Sequence, residues 1–385
     1  MRILLVLTYF QPHKSGLTVY AVRQARALAD LGHKVTVLTS QYDQSLPREE
    51  LDHGVQIIRL PVLFRLSKGV IMPQMPFKAL KLIHGSDIVN LHVPQVDAAL
   101  LAALTKLSRK PLVLTYHCDL QMPAGWINQL AGAAAQAANR FSAMIADVIV
   151  HNTRDFAENS TFLKKYLDKL AIIQPPIIIE KVSETQISAF RQKYGLKVDQ
   201  RIIGMVARLA TEKGVEYLVQ AMPKILERYP DARAIFVGEY ENVFGEQVYK
   251  EKLHPMIQHL GDHWLFMGIL SEEEKAIFYH LCNVLVLPSI NSTESFGMVQ
   301  IESMICGTPV IASDLPGVRQ PVESTGMGKI VPTKDHQALA DGIIAVLEGD
   351  FTKPNKTSAW IESHYSPASV AKLYESIYSN QLKRK

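Results

Sequence analysis

Two glutamates, Glu294 and Glu302, stand eight positions apart in the stretch PSINSTESFGMVQIESMICGTP, from Pro288 to Pro309. Carboxylates so placed can accept hydrogen bonds from hydroxyl groups. The pattern predicts a strand over Asn283 to Leu287 ended by Pro288, a loop with Thr293 or Ser295 as helix cap, and a short helix stopped by Gly307. Glu294 then lies in the loop, and Glu302 lies in the helix on an apolar face with Met298, Val299, Ile305 and Cys306. Burying an unpaired charge is costly, so Glu302 needs hydrogen-bond donors, and ligand hydroxyls would serve. The amides of Ser295, Phe296 and Gly297 fall at or near the helix start, where the dipole favours an anion and a glycine admits close approach. The plain alternative is a helix whose glutamates pair with Lys or Arg.

Other residues with chemistry also follow apolar runs that read as strands. Arg208 and Lys213 lie in ARLATEKG, after Arg201 to Val206. When a sugar–phosphate bond breaks, negative charge grows on the leaving diphosphate, and cations placed there stabilise the transition state more than the ground state. A surface pair with Glu212 is the alternative. His117 and Asp119 follow Pro111 to Tyr116; Asp119 could fix the imidazole or cap the next segment. Gly16 stands at the mouth of a helix, as in loops that admit a phosphate, and Gly238 ends a strand where a nucleoside could enter.

These residues carry a family resemblance. Glu294-Ser-Phe-Gly-Met-Val-Gln-Ile-Glu302, followed by Cys-Gly-Thr-Pro-Val-Ile-Ala, resembles the E-x7-E segment of retaining glycosyltransferases of family four, which have the GT-B fold. The resemblance runs from the first turn to the C-terminal helix. It implies that Glu302 binds the ribose of a sugar nucleotide and Glu294 lies against the donor sugar. By the same likeness Arg208 and Lys213 match an R-x4-K segment that holds the diphosphate, His117 sits near the donor sugar, and Met267 to Leu270 resembles the stretch whose backbone bonds the base. Phe296, Gly297 and Met298 join the substrate-binding set. The catalytic set is His117, Glu294, Arg208 and Lys213. His117 is not expected to be the base: in a retaining transfer a donor phosphate oxygen can take the acceptor proton, leaving His117 to orient the sugar. The family usually has two glycines in the first turn, whereas this chain has Ser15 before Gly16, which puts the width of that loop in question. A nucleotide-sugar epimerase of the same fold, or a non-catalytic sugar-nucleotide binder, are the rival functions.

The elements that must position these residues read as two α/β domains. Apolar runs at residues 2–8, Lys34 to Ser40, Val55 to Leu60, Asp87 to His92, Pro111 to Tyr116 and Asp147 to His151 alternate with helical patterns, which argues for a parallel sheet covered on both faces. The pattern restarts after Gln174-Pro175-Pro176, with strands at Arg201 to Val206, Ala232 to Val237, Trp264 to Met267, Asn283 to Leu287 and Pro309 to Ala312. The expected domains are 1–178 on the acceptor side, with a helix over 366–381 packing back onto it, and 179–365 for the sugar nucleotide. Ligands of such sheets bind beyond the carboxyl ends of the strands, so two facing sheets would place the chemistry in a cleft.

Composition narrows the class. The chain has 385 residues, 48% of them hydrophobic and 20% charged, as in a soluble globular protein. No apolar run is long enough to cross a membrane, and the first strand lacks a cleavage site, so no signal peptide is expected. Cys118, Cys282 and Cys306 have neither metal nor redox spacing, which fits a reducing cytoplasm. With no D-x-D triplet either, no metal and no cofactor is expected. Residues 1–183 hold 20 Lys+Arg against 13 Asp+Glu, net +7; residues 184–385 hold 21 against 24, net −3. Within the basic half, Val62 to Ile83 mixes Phe64, Ile71 and Phe77 with Arg65, Lys68, Lys78 and Lys81, a composition that suits either an anionic membrane surface or core packing. The Ala- and Gly-rich stretch from Gln121 to Ala146, with Trp126, is assigned to the acceptor side. No aromatic-interleaved basic motif for nucleic acid is present. The expected partners are a nucleotide diphosphate sugar and a glycan or lipid-linked acceptor, in the cytoplasm or at the inner face of its membrane.

Overall fold

The computed structural model describes residues 1–66, 69–119, 126–241, 243, 245–351 and 355–384. The chain divides into two units, Met1–Pro176 with Tyr365–Lys385, and Ile177–His364.

In the first unit the strands are β1 (Arg2–Val6), β2 (Lys34–Gln41), β3 (Glu49–Asp52), β4 (Val55–Pro61), β5 (Phe64–Leu66), β6 (Gly69–Ile71), β7 (Ile88–Val93), β8 (Leu112–Tyr116), β9 (Val148–His151) and β10 (Leu170–Ile172). Eight of them form one sheet in the order β10-β9-β8-β7-β1-β2-β4-β3. All its pairings are parallel except that of β3 with β4. Alternation along β1 sends Ile3 and Leu5 to one buried face and Leu4 and Val6 to the other, so both faces need a helical cover. One cover is the helix Gly16–Asp30, and beside it lies the C-terminal helix Pro367–Lys383. The latter is fastened by buried hydroxyls: Tyr374 meets Tyr20 at 2.8 Å and Thr115 at 3.1 Å, while Tyr378 donates to Asn90 at 3.0 Å. β3 escapes a sequence reading because Glu49, Glu50 and Asp52 make it polar, the composition of a protected sheet edge. Val62 to Ile83, read as a loop with a helix, instead holds the antiparallel pair β5 and β6 before the helix Met75–Gly85.

The second unit has β11 (Ile202–Val206), β12 (Arg233–Val237), β13 (Trp264–Gly268), β14 (Val284–Leu287), β15 (Val310–Ser313) and β16 (Gly328–Val331), in the order β13-β12-β11-β14-β15-β16. Every pairing is parallel. β16 is short and opens with Gly328, whose φ of +143° and missing Cβ let it lie against the Val310 carbonyl, so its sequence carries little strand signal.

Both sheets reverse their winding once, between β1 and β7 in the first unit and between β11 and β14 in the second. In open parallel sheets ligands bind at such switch points, beyond the strands' carboxyl ends. The loops after β11 and β14 carry Arg208, Lys213 and Glu294.

Candidate active site

In the second unit, backbone contacts draw the β11 and β14 loops together. Gly214 adopts φ +65°, and a Cβ there would lie 2.1 Å from the Pro288 carbonyl oxygen, so only glycine allows this approach. Ile290 N donates to the Glu212 carbonyl at 3.0 Å. As a result Lys213 Nζ reaches Glu294 Oε2 at 2.7 Å, with side chains 19% and 16% exposed. The two residues assigned to diphosphate and sugar are thus neighbours. Arg208 is half exposed and its Nη2 donates to Glu212 Oε1 at 3.1 Å, the surface pair weighed above.

The helix with Glu302 runs Met298–Ile305, and its cap is Gly297 at φ +78°. Neither Thr293 nor Ser295 caps it, which corrects the sequence reading. A Cβ on Gly297 would lie 2.3 Å from Leu287 Cδ2, so the turn and the packing on β14 both favour glycine here. Phe296 is buried at 3% exposure and Met298 is half buried. Glu302 is 3% exposed. The protein itself supplies donors to it: the Tyr279 hydroxyl donates to Oε2 at 2.8 Å, and Lys275 Nζ lies 3.6 Å from the same oxygen. Neither residue was singled out in the sequence. Their spacing on the helix Glu272–Leu281, set by the capping box of Ser271 and Glu274, was the signal available.

Gly238 follows β12 at φ +133°, and a Cβ would lie 1.9 Å from the Ala207 carbonyl oxygen. Its glycine identity answers to packing against the β11 loop. Met267 is half buried on β13, and Tyr240 stacks on Phe266 at 4.3 Å beside it.

In the first unit, β7, β8 and β9 end near three imidazoles, His92, His117 and His151. His117 Nε2 lies 2.9 Å from His92 Nδ1, the rings are stacked, and Tyr20 meets His117 edge-on at 5.1 Å. Burial holds all three below the ordinary histidine range, His92 at about 3, His151 at about 4 and His117 well below 6.5, where His92 adds to the effect. His117 is therefore a neutral hydrogen-bonding group. Asp119 does not fix it: its Oδ1 accepts from Tyr116 at 2.8 Å and Ser160 at 2.6 Å. Gly16 opens its helix, and Ser15 is the cap, accepting from Thr18 N at 3.2 Å, which gives the departure from two glycines a structural cause.

Asp119 borders a shallow hollow of about 50 Å³, open to solvent and lined by Pro94, Tyr116, Asn139, Arg140 and Phe162 among others. Tyr116 and Phe162 stack at 4.6 Å along it. Residues 121–125 and the Trp126 side chain, assigned above to the acceptor side, lie outside the described residues, as does Lys68. In Val62 to Ile83, Phe64 and Phe77 are 52% and 80% exposed, whereas Met72, Met75 and Ile83 belong to the core. Among the described residues no helix is long and apolar enough to cross a membrane, and no group of three His, Cys, Asp or Glu could hold a metal.

Comparison with known proteins converges on one family. The profile described as Glycosyl transferases group 1 matches residues 186–384, over half of the 385, and that described as Glycosyl transferase 4-like domain matches 15–173. An uncharacterized glycosyltransferase of Methanocaldococcus jannaschii is 27% identical over 361 residues, 90% of this chain and 89% of its own. The phosphatidyl-myo-inositol mannosyltransferase of Mycobacterium leprae is 24% identical over 366 residues, 94% of this chain and 92% of its own. Among solved structures, the HepE protein of Anabaena in complex with UDP has a TM-score of 0.75 at 22% identity, covering 99% of this chain and 100% of that one. With these matches, the two parallel sheets and the E-x7-E segment at a strand end, the chain belongs to the glycosyl transferases group 1 and is a glycosyltransferase of the GT-B type.

Proposed function

We propose that this glycosyltransferase moves a hexosyl group, with retention, from UDP-hexose or GDP-mannose to a glycan or lipid-linked acceptor, without a metal. The observation that carries the reading is the 2.7 Å pairing of Lys213 with Glu294 beside the switch point of the second sheet. A cation for the diphosphate and a carboxylate for sugar hydroxyls meet there at hydrogen-bond distance. The second unit is assigned the donor: Arg208 and Lys213 take up the charge that grows on the leaving diphosphate, Glu294 accepts sugar hydroxyls, and Glu302 accepts from the ribose. Attack comes from the face the leaving group vacates, and a phosphate oxygen removes the acceptor proton. His117, held neutral by burial, donates or accepts a hydrogen bond without charging and orients the sugar. The relative named for phosphatidyl-myo-inositol and the neighbour in complex with UDP support a nucleotide donor and an inositol lipid as the first acceptor to try.

The first unit is assigned the acceptor, with the hollow beside Asp119 for its head group. Leu63, Phe64 and Phe77 stand 68%, 52% and 80% exposed next to Arg65, Lys78 and Lys81, and they form the face that meets an anionic membrane on its cytoplasmic side. Each Lys or Arg near such a surface contributes about 1 kcal/mol, an effect that fades within ~10 Å at 0.1 M salt. The test supplies labelled UDP-glucose and GDP-mannose with anionic vesicles containing phosphatidylinositol, with and without chelator. One donor should label the lipid with the anomeric configuration of the donor, chelator should leave the rate unchanged, and the protein should sediment with vesicles in low salt only. Epimerised donor in the absence of vesicles, or complete loss with chelator, would overturn the reading.

A further inference from the structure

Glu302 is a buried carboxylate, and how it is held decides what it can bind. The helix Glu272–Leu281 lies against its own helix and turns two residues four positions apart toward it. Tyr279 is fully buried, and its hydroxyl donates to Glu302 Oε2 at 2.8 Å. Lys275 Nζ lies 3.6 Å from that same oxygen and 3.0 Å from Glu272 Oε2, so it shares its charge between a buried and an exposed carboxylate. Tyr279 itself has little freedom. Its carbonyl accepts from Thr308 Oγ1 at 2.7 Å and from Cys282 N at 3.2 Å, and its ring is packed on every side. An ionised carboxylate offers about four acceptor sites, and Tyr279 occupies one of those on Oε2.

We propose that Tyr279 is a positioning residue for the donor's ribose: its bond to one oxygen of Glu302 helps set the plane in which the carboxylate meets the ribose hydroxyls, with Lys275 as counter-charge. The inference rests on the reading of Glu302 as the ribose acceptor and adds to it the group that orients it. Burial drives the Tyr279 hydroxyl well above the ordinary tyrosine range, so it remains a donor throughout the working pH. Removing this bond takes away one of the contacts that hold the carboxylate about its last side-chain torsion, which is broad and has no single preferred angle. Recognition of a vicinal diol by one carboxylate depends on that angle.

The experiment measures, by calorimetry on the full chain, the affinities of UDP and GDP and of their 2′-deoxy and 3′-deoxy analogues. Wild type should prefer the ribonucleotide it binds over a deoxy form by about tenfold, the scale of one hydrogen bond to a charged group. Glu302→Gln should reduce that preference, and Tyr279→Phe should reduce it comparably while leaving the affinity for the deoxy forms unchanged. The double variant should lose no more than Glu302→Gln alone. If Tyr279→Phe keeps the wild-type preference while Glu302→Gln loses it, the positioning role is wrong and the ribose reading stands. If neither variant alters the preference, the ribose reading itself fails. Equal weakening of ribo and deoxy forms in Tyr279→Phe would show that the tyrosine only packs, and would overturn the inference as well.

Discussion

Lys213 and Glu294 are partners before any donor arrives, and this has consequences for their substitution. In the proposed reading the ammonium at 2.7 Å from Glu294 is the group that the diphosphate recruits, so bare nucleoside diphosphate would compete with the glutamate for it. Glu294→Gln is therefore expected to bind the bare diphosphate as well as wild type or a few-fold tighter, while binding the sugar-bearing donor more weakly. Calorimetry with both ligands decides this, and equal losses for both would contradict it. Lys213→Ala and Arg208→Ala should each raise the barrier to transfer by about 2–4 kcal/mol, the scale for removing a preorganised charge stabiliser. Full activity in Lys213→Ala would remove its assignment. At this scale the sequence was legible in placement: Arg208, Lys213 and Glu294 lie in the strand-end loops expected for them, and Glu302 in the helix that follows. It was less specific where a residue type has several uses. Gly238 and Gly297 read as openings for a ligand, and the fold also needs glycine there, because a Cβ would meet the Ala207 carbonyl and Leu287. Tyr279 was invisible because a tyrosine on an apolar helix face is ordinary core.

The elements explain which of these residues could meet. Parallel strands end on one edge of a sheet, so β7, β8 and β9 deliver His92, His117 and His151 to one neighbourhood, and burial keeps all three neutral. Because their folded-state affinity for protons is depressed, the unfolded chain binds more protons below its own pKa of about 6.5, and stability falls as pH drops through that value. His92 and His151 each cost on the order of 2 kcal/mol of stability by pH 5, and His117 acts in the same direction. Asp97, pushed up to about 6 by burial, acts in the opposite sense, and protonation returns on the order of 1 kcal/mol over the same range. The first unit should thus be stable above pH 7 and lose several kcal/mol by pH 5. Thermal unfolding of wild type and His92→Asn between pH 8 and 5 checks this; a flat wild-type profile, or an equally steep one in the variant, would contradict it. The strands themselves were readable, since buried parallel strands are short apolar runs. β3, with its charged edge, and the pair β5 and β6, in a segment crowded with Pro and Lys, were not, because nothing in such composition alternates with the strand period.

Over the whole molecule the charge is uneven, net +7 in residues 1–183 and −3 in 184–385. An anionic nucleotide is nevertheless assigned to the second unit, which carries the acidic half. Its site depends on two cations at a strand-end loop rather than on the overall field, which suits recognition by contact more than by steering. The two α/β domains were legible from the restart of the strand–helix pattern after Pro176, and the GT-B type from the resemblance of the Glu294–Glu302 segment to a known family, whereas the identity of base, sugar and acceptor is set by loop shapes that no spacing encodes. The measurement that bears most directly on the central claim is differential scanning calorimetry of wild type and Lys213→Ala with UDP, GDP, UDP-glucose and GDP-mannose. A ligand at 100 times its dissociation constant stabilises the fold that binds it by about 2.7 kcal/mol. One nucleotide and its sugar should raise the unfolding temperature of wild type and fail to do so in Lys213→Ala at the same concentration; no shift with any of the four, or the same shift in the variant, would contradict donor binding at this site.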